Sequence, residues 1–406
     1  MSDDPRIRAR RAAIDALVAE HFPMDPSAAP PADRLPLALP TFGAAEVAEA
    51  IDSLLSGWVT MGAKVRAFEE RFAAWVGAEH AVMVNSGSSA LLVMLSALVE
   101  QGRLRPGQEV LVPAVGWSTS LFSVHQAGLS PVLVDVDPDS LCLEGALDRP
   151  ALLVHLLGQP SAATGPLILE DACAAHGATL HGARVGSRGH AGCFSFFFSH
   201  HMTTIEGGMV VTSDARLADQ MRSVRAHGWI RERTDRDALA AAHPDTDPRF
   251  LFVSAGFNVR PTEIAGAFGL HQLDRIDDIV AARAANHERW CAAIDALGLP
   301  LRTFPARPGT THAGFGFPFV LDADAPATRA EVSAHLESRG VQTRAISGSN
   351  LARQPAVAHL PRLRVEGPLP VADAVHDRGL FVGQGHTFTD AQLDLLCAAL
   401  TEVLRP

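Results

Sequence analysis

Ser195-Phe196-Phe197-Phe198-Ser199-His200-His201-Met202-Thr203-Thr204-Ile205-Glu206-Gly207-Gly208-Met209 is the stretch on which the reading of this chain turns. The apolar run Cys193–Phe198 reads as a strand. Two histidines stand at its end, followed by a threonine turn, Gly207-Gly208 and a second strand over Met209–Thr212. Residues at a strand end face the crevice in which α/β proteins bind ligands. Adjacent imidazoles there can ligate a metal or move protons. No third ligand sits at a telling spacing, so no metal is expected.

Working outward, short apolar runs alternate with helical patterns from about 41 to 285. The runs are Ala81–Val84, Glu109–Val112, Pro131–Val134, Ala151–Leu156 and Leu167–Leu169. This alternation predicts an α/β domain with a large, mostly parallel sheet covered by helices on both faces. Before it, an amphipathic pattern over residues 5–22 precedes a link carrying Pro23, Pro26, Pro30, Pro31, Pro36 and Pro40, which cannot be helical. After it, one long helical stretch from Pro261 to about Leu297 leads to a smaller α/β domain. That domain has strands at Phe315–Leu321, Val341–Ile346 and Leu380–Val382, a helix near 327–339 and a closing helix from Asp390. The expected boundaries are 1–40 for the helix and proline link, 41–285 for the large domain and 286–406 for the small C-terminal one.

Composition narrows the function. The formal net charge is −11 and no basic tract is present, which argues against nucleic acid and anionic membrane as partners. No apolar run has the length of a membrane span, and Met1–Arg11 lacks an apolar signal core, so a cytoplasmic location is expected. Five scattered cysteines without a Cys-x-x-Cys pair speak against a disulfide framework, a zinc site or an iron–sulfur cluster. Of 34 Lys plus Arg residues, one alone is lysine, Lys64, which reads as a solvated residue opening a helix.

Two further segments are candidates for chemistry. Asn85-Ser86-Gly87-Ser88-Ser89-Ala90 joins a strand to an apolar helix; it can cradle an anion on free helix N–H groups, or it can be an ordinary serine cap. Glu170-Asp171 ends a buried strand. An aspartate there can keep a pyridine nitrogen protonated, or it can cap the next turn.

Taken together, these segments resemble the DegT/DnrJ/StrS sugar aminotransferases, whose pattern is Ser-Phe-x-x-x-Lys-x-x-Thr-x-Gly-Glu-Gly-Gly. Aligned from Glu206-Gly207-Gly208, the lysine slot falls on His200. The likeness extends through Gly57-Trp58-Val59-Thr60-Met61-Gly62, Pro113-Ala114-Val115-Gly116-Trp117-Ser118, Val154-His155-Leu156-Leu157-Gly158, Arg225-Ala226-His227-Gly228-Trp229 and Gly256-Phe257-Asn258-Val259-Arg260-Pro261. In the second domain it takes in Thr343-Arg344 and His376-Asp377. The histidine pair, and Ile205 in place of the usual glycine, resemble a branch of that family that dehydrates keto-sugars.

The resemblance implies the fold type I, aspartate aminotransferase-like fold and a homodimer with sites at its interface. It implies pyridoxal 5′-phosphate or pyridoxamine 5′-phosphate as a non-covalent cofactor, because imidazole cannot replace the lysine that normally holds it. On the same basis Gly87, Ser88 and Ser195 contact the cofactor phosphate, Trp117 stacks on the ring, Asp171 pairs with the pyridine nitrogen, and Asn258 reaches the phosphate from the neighbouring subunit. His200 is the implied catalytic base, and His227 and Arg260 are candidate substrate contacts. The implied reaction removes the 3-hydroxyl of a 4-keto-6-deoxy sugar, nucleotide-linked, with glutamate recharging the cofactor. Departures at Ala174, where the aminotransferases carry Gln, and at Gly383-Gln384-Gly385-His386 leave the sugar open. An aminotransferase acting on another keto-sugar and a cofactor-binding homologue without turnover are the alternatives.

Overall fold

The computed structural model describes residues 5–405, and the chain divides into two compact units that interlace along the sequence. One comprises residues up to 28, Pro40–Arg103 and Ser195–Asp277; the other comprises Ala29–Leu39, Leu104–Phe194 and residues from Asp278 onward.

In the second unit the strands Ala191–Ser195, Ile168–Asp171, Ala151–Val154, Glu109–Pro113, Ser130–Val134 and Arg364–Val365 lie side by side in that order, every pair parallel. Parallel strands need crossover connections, and their helices cover both faces, which is why these strands read as unbroken apolar runs rather than alternating ones. Val110, Val112, Val132, Leu133, Leu152, Leu153 and Leu169 are all fully buried. The same unit carries an antiparallel sheet in the order Leu301–Arg302, Gly316–Leu321, Gly379–Gly383, Thr343–Ala345. Its core is built on Trp290, Phe317, Phe319, Leu336 and Leu396.

Within that unit lies a buried polar cluster. His287 and His312 stack face to face, with ring centroids 3.6 Å apart and planes within 6°. Gly314 N–H donates to His312 Nδ1 at 2.9 Å, while His287 meets the Phe304 carbonyl at 2.8 Å and Gln384 at 3.1 Å. The fully buried Arg283 guanidinium donates to the carbonyls of Gly314 and Gln384. Burial pushes both imidazoles down from their ordinary value, and His287 adds to the depression at His312.

In the first unit, His80–Val84 pairs antiparallel with Gly208–Thr212, Met83 opposite Met209. The helix Gly87–Glu100 is apolar on most sides and almost wholly buried, with Leu91, Met94, Leu95 and Leu98 at 1% exposure or less. Glu263 caps the helix Ala63–Val76 from a distant part of the chain, accepting from the N–H groups of Gly62 and Lys64 at 2.7 Å each.

Several expectations shift in detail. The long helical stretch breaks after Asp274 into Glu263–Leu273 and Ile276–Ala296. The run Cys193–Phe198 leaves the sheet at Ser195, and Phe197 and Phe198 turn outward at 45% and 40% exposure. The run Ala151–Leu156 stops as a strand at Val154 and continues as a short 3-10 turn, with Leu157 in the left-handed region. Among the described residues no helix is long and apolar enough to cross a membrane.

Candidate active site

The first unit carries Gly87, Ser88, Ser195, His200, His227, Asn258 and Arg260; the second carries Trp117 and Asp171. Each group is held by its own local chemistry.

In the first unit, Ser86 caps the helix Gly87–Glu100, its hydroxyl accepting from Ser89 N–H at 3.1 Å, while Ser88 stays exposed at the helix start. A side chain at Gly208 would collide with the Ser86 carbonyl and Gly87 N–H, so the second glycine of Gly207-Gly208 lets this strand close on the serine turn. Asn85 N–H donates to the Val259 carbonyl at 3.0 Å, bringing Asn258 and Arg260 beside the same turn. Ala226 and Asn258 form an antiparallel bridge, and His227 N–H donates to Phe257 O at 2.7 Å. Asn258 and His227 are exposed.

The loop after Ser195 is fixed by the threonine pair. Thr204 N–H and the Thr203 hydroxyl both donate to the Phe196 carbonyl, at 3.0 and 3.1 Å, and Ile205 N–H donates to the Thr203 hydroxyl at 2.9 Å. Ile205 sits at φ +71, a left-handed backbone that a β-branched residue rarely adopts and that costs on the order of 1–3 kcal/mol. His200 and His201 diverge in this loop. His201 is fully buried, whereas His200 is half-buried with its ring edge-on to Phe197, centroids 6.2 Å apart.

Lys64 is not the solvated residue its sequence context suggests. Its ammonium lies 2.7 Å from Glu49, 3.1 Å from Asp52 and 2.8 Å from the Ser53 hydroxyl, with the side chain 21% exposed. Glu49 also meets Arg11 and His271, and Asp52 meets Arg10. Burial raises the Glu49 carboxyl, but its hydrogen bonds to His271, Arg11 and Lys64 outweigh this and hold it well below the usual range. These carboxylates and cations were not legible as a group because they come from positions scattered between 10 and 271.

In the second unit, Asp171 ends its strand at 6% exposure, flanked by Val154 and Cys193 of the neighbouring strands. The Ser120 hydroxyl donates to Oδ2 at 2.7 Å and Cys173 N–H to Oδ1 at 3.1 Å. Glu170, one residue earlier, points the other way and is structural. It accepts from Gly186, Arg188 and Gly189 N–H groups at 2.9, 2.8 and 2.6 Å, and meets His155 at 3.0 Å. His155 Nδ1 accepts from Ser161 N–H, so its Nε2 carries the hydrogen donated to Glu170. Trp117 precedes the helix Ser118–Gln126 and presents its indole at 60% exposure. Sequence reasoning missed Ser120; its available signal was its place three residues after Trp117, on the first turn of the same helix.

This architecture defines the class: it is that of the aminotransferase fold. A putative sugar aminotransferase of Streptococcus pneumoniae in its PMP form, 20% identical, matches with a TM-score of 0.77 over 91% of this chain and 99% of its own. The chain belongs to the DegT/DnrJ/EryC1/StrS aminotransferase family, whose profile matches residues 40–401. Among its relatives, the GDP-4-keto-6-deoxy-D-mannose 3-dehydratase of Yersinia pseudotuberculosis is 34% identical over 86% of this chain and 94% of its own length. The dTDP-4-dehydro-2,6-dideoxy-D-glucose 3-dehydratase of Saccharopolyspora spinosa is also 34% identical, over 87% of this chain and 82% of its own. The solved GDP-4-keto-6-deoxy-D-mannose 3-dehydratase of E. coli with bound hydrated PLP is 30% identical, with a TM-score of 0.80 over 90% of this chain and 99% of its own.

Proposed function

We propose that this chain is a pyridoxal-phosphate- and pyridoxamine-phosphate-dependent 3-dehydratase of a 4-keto-6-deoxy sugar, nucleotide-linked, using glutamate to regenerate the amine form of the cofactor. The observation that carries the proposal is an imidazole, His200, at the position where the family's pattern has its lysine, in a chain whose single lysine is engaged by two carboxylates. The two 3-dehydratases with different nucleotides and sugars at equal identity leave the sugar itself open.

Pyridoxal phosphate fits the residues present. Asp171 is a nearly buried carboxylate, an acceptor suited to a protonated pyridine nitrogen. The capped helix start at Gly87 and Ser88 offers N–H groups to a phosphate, and Gly208 keeps side chains off that turn. Trp117 has a free aromatic face for the ring. Bound as its amine form, the cofactor supplies a nucleophile for the sugar's C4 carbonyl and a ring that accepts an electron pair.

The roles proposed for the protein's own residues are as follows. Asp171 keeps the ring nitrogen protonated. His200 takes the proton from the carbon that bears the cofactor's amine and delivers a proton to the 3-hydroxyl as it departs. With Lys64 engaged by Glu49 and Asp52, no lysine amine would hold the cofactor, which would be bound without a covalent bond and would supply the nitrogen released as ammonia. His227 and Arg260 orient the sugar. We also propose that two copies of the chain pair, Asn258 of one completing the phosphate site of the other. The test is mass spectrometry of the product formed from a GDP-linked 4-keto-6-deoxy sugar with pyridoxal phosphate and glutamate. A 3-deoxy-4-keto product with release of ammonia supports the proposal; a 4-amino sugar that retains its 3-hydroxyl identifies an aminotransferase instead.

A further inference from the structure

The Ser120–Asp171 contact joins two elements that the proposed reaction needs in register. Ser120 lies on the first turn of the helix Ser118–Gln126, fully buried, and its N–H donates to the Trp117 carbonyl at 3.1 Å. Its hydroxyl donates to Asp171 Oδ2 at 2.7 Å across 51 residues of sequence. The opposite oxygen of Asp171 takes the Cys173 N–H. With one donor on each oxygen, the carboxylate can neither rotate about its terminal torsion nor tilt out of its plane without breaking a buried hydrogen bond. A carboxylate otherwise has a broad, roughly two-fold distribution at that torsion. The same hydroxyl also ties the helix bearing the Trp117 indole to the strand bearing Asp171.

We infer that Ser120 is a positioning residue that sets the Asp171 carboxylate, and with it the Trp117 turn, against the cofactor ring. The inference rests on the proposed cofactor chemistry, and it assigns Ser120 no contact with substrate or cofactor. Nearby groups argue against a merely structural hydroxyl. Ser123, one turn further along the same helix, is equally buried, and its hydroxyl has no hydrogen-bond partner, so the helix packs without needing such a bond. Glu170 and His155 already fix the strand from its other side. The Ser120 bond therefore adds little to strand placement and acts chiefly on the direction of Asp171.

The experiment compares Ser120→Ala, Ser120→Thr and Ser123→Ala in the full chain loaded with pyridoxal phosphate. The readout is the pH at which the bound ring nitrogen loses its proton, followed by ¹⁵N resonance of labelled cofactor. Thermal unfolding of the cofactor-free proteins is measured alongside. A misdirected carboxylate supports the ring proton less well, so S120A is expected to move that titration down by about one pH unit and to lower kcat about tenfold, the size of one hydrogen bond to a charged group. S120T, which keeps the hydroxyl, is to titrate as wild type, and S123A is to match wild type. An S120A ring nitrogen that titrates with wild type overturns the inference, as does an S120T shifted as far as S120A. If S120A does not fold, Ser120→Cys, close in size but with only a weak donor, takes its place: a shift like that expected of S120A supports the inference and a wild-type titration overturns it. Failure of wild type to bind pyridoxal phosphate at all would instead count against the proposed function.

Discussion

Lowering the pH from 7.5 to 5.5 is expected to destabilise this protein through a cluster remote in sequence from His200. His312 is buried and stacked on His287, and Gly314, which donates its N–H to His312, takes the Arg283 guanidinium on its carbonyl. Its folded value is depressed well below the ordinary 6.5 by burial and by His287, and that of His287 is lowered by burial against the opposing pull of the Phe304 carbonyl, Gln384 and Glu288. A depressed histidine binds fewer protons in the fold than in the unfolded chain, so its contribution is fully present above about pH 6.5 and is lost as the pH falls. At pH 5.5 an unfolded histidine is about nine-tenths protonated, which favours the unfolded state by about 1.4 kcal/mol relative to a His312 that stays neutral. His287 acts in the same direction. Urea unfolding at the two pH values, for wild type and for His312→Gln, isolates the effect, since glutamine can still accept from Gly314 N–H. The variant is expected to lose about 1.4 kcal/mol less than wild type between pH 7.5 and 5.5. Equal losses would refute the reasoning by showing that the stacked pair already carries its protons in the fold.

Asp171→Asn keeps the Ser120 contact but removes the charge proposed to hold the ring nitrogen protonated, and turnover is expected to fall on the order of 10²-fold, with melting temperature little changed; steady-state kinetics and thermal unfolding check both parts. Mixing Asn258→Ala and His200→Asn proteins, each expected to be inactive, under conditions of proven subunit exchange is expected to recover activity, because on the proposed pairing a mixed pair assembles one intact site. No recovery would remove Asn258 from the neighbouring copy's site.

The extent to which this molecule could be read from its sequence depends on how local each feature is. Strands buried on both faces announce themselves as contiguous apolar runs, and the stretch Ser195–Met209 keeps its histidine, threonines and glycines in one short order. The placement of Asp171 at a strand end follows from the apolar run Leu167–Leu169 just before it. The Ser120 hydroxyl bond, spanning 51 residues, has no local signature, and neither does the Lys64 cluster, whose partners come from two other helices and the N-terminal segment. The break after Asp274 was hidden by helical periodicity that continues on both sides of it. Ile205 runs against intrinsic preference altogether: its left-handed backbone is imposed by the Thr203 and Thr204 bonds around it, a tertiary demand that propensity cannot express.

A histidine, His200, stands where the family's pattern has the lysine that anchors the cofactor, and the proposed function holds the cofactor without a covalent bond. The most direct test of this is borohydride reduction of the protein loaded with pyridoxal phosphate, followed by denaturation and intact-mass measurement, with His200→Lys as the positive control. Wild type is expected to show the unmodified chain mass, while His200→Lys gains one reduced cofactor. A cofactor adduct on wild-type Lys64 would contradict the account, since that ammonium would then have to leave Glu49 and Asp52 to do what His200 is held to have replaced.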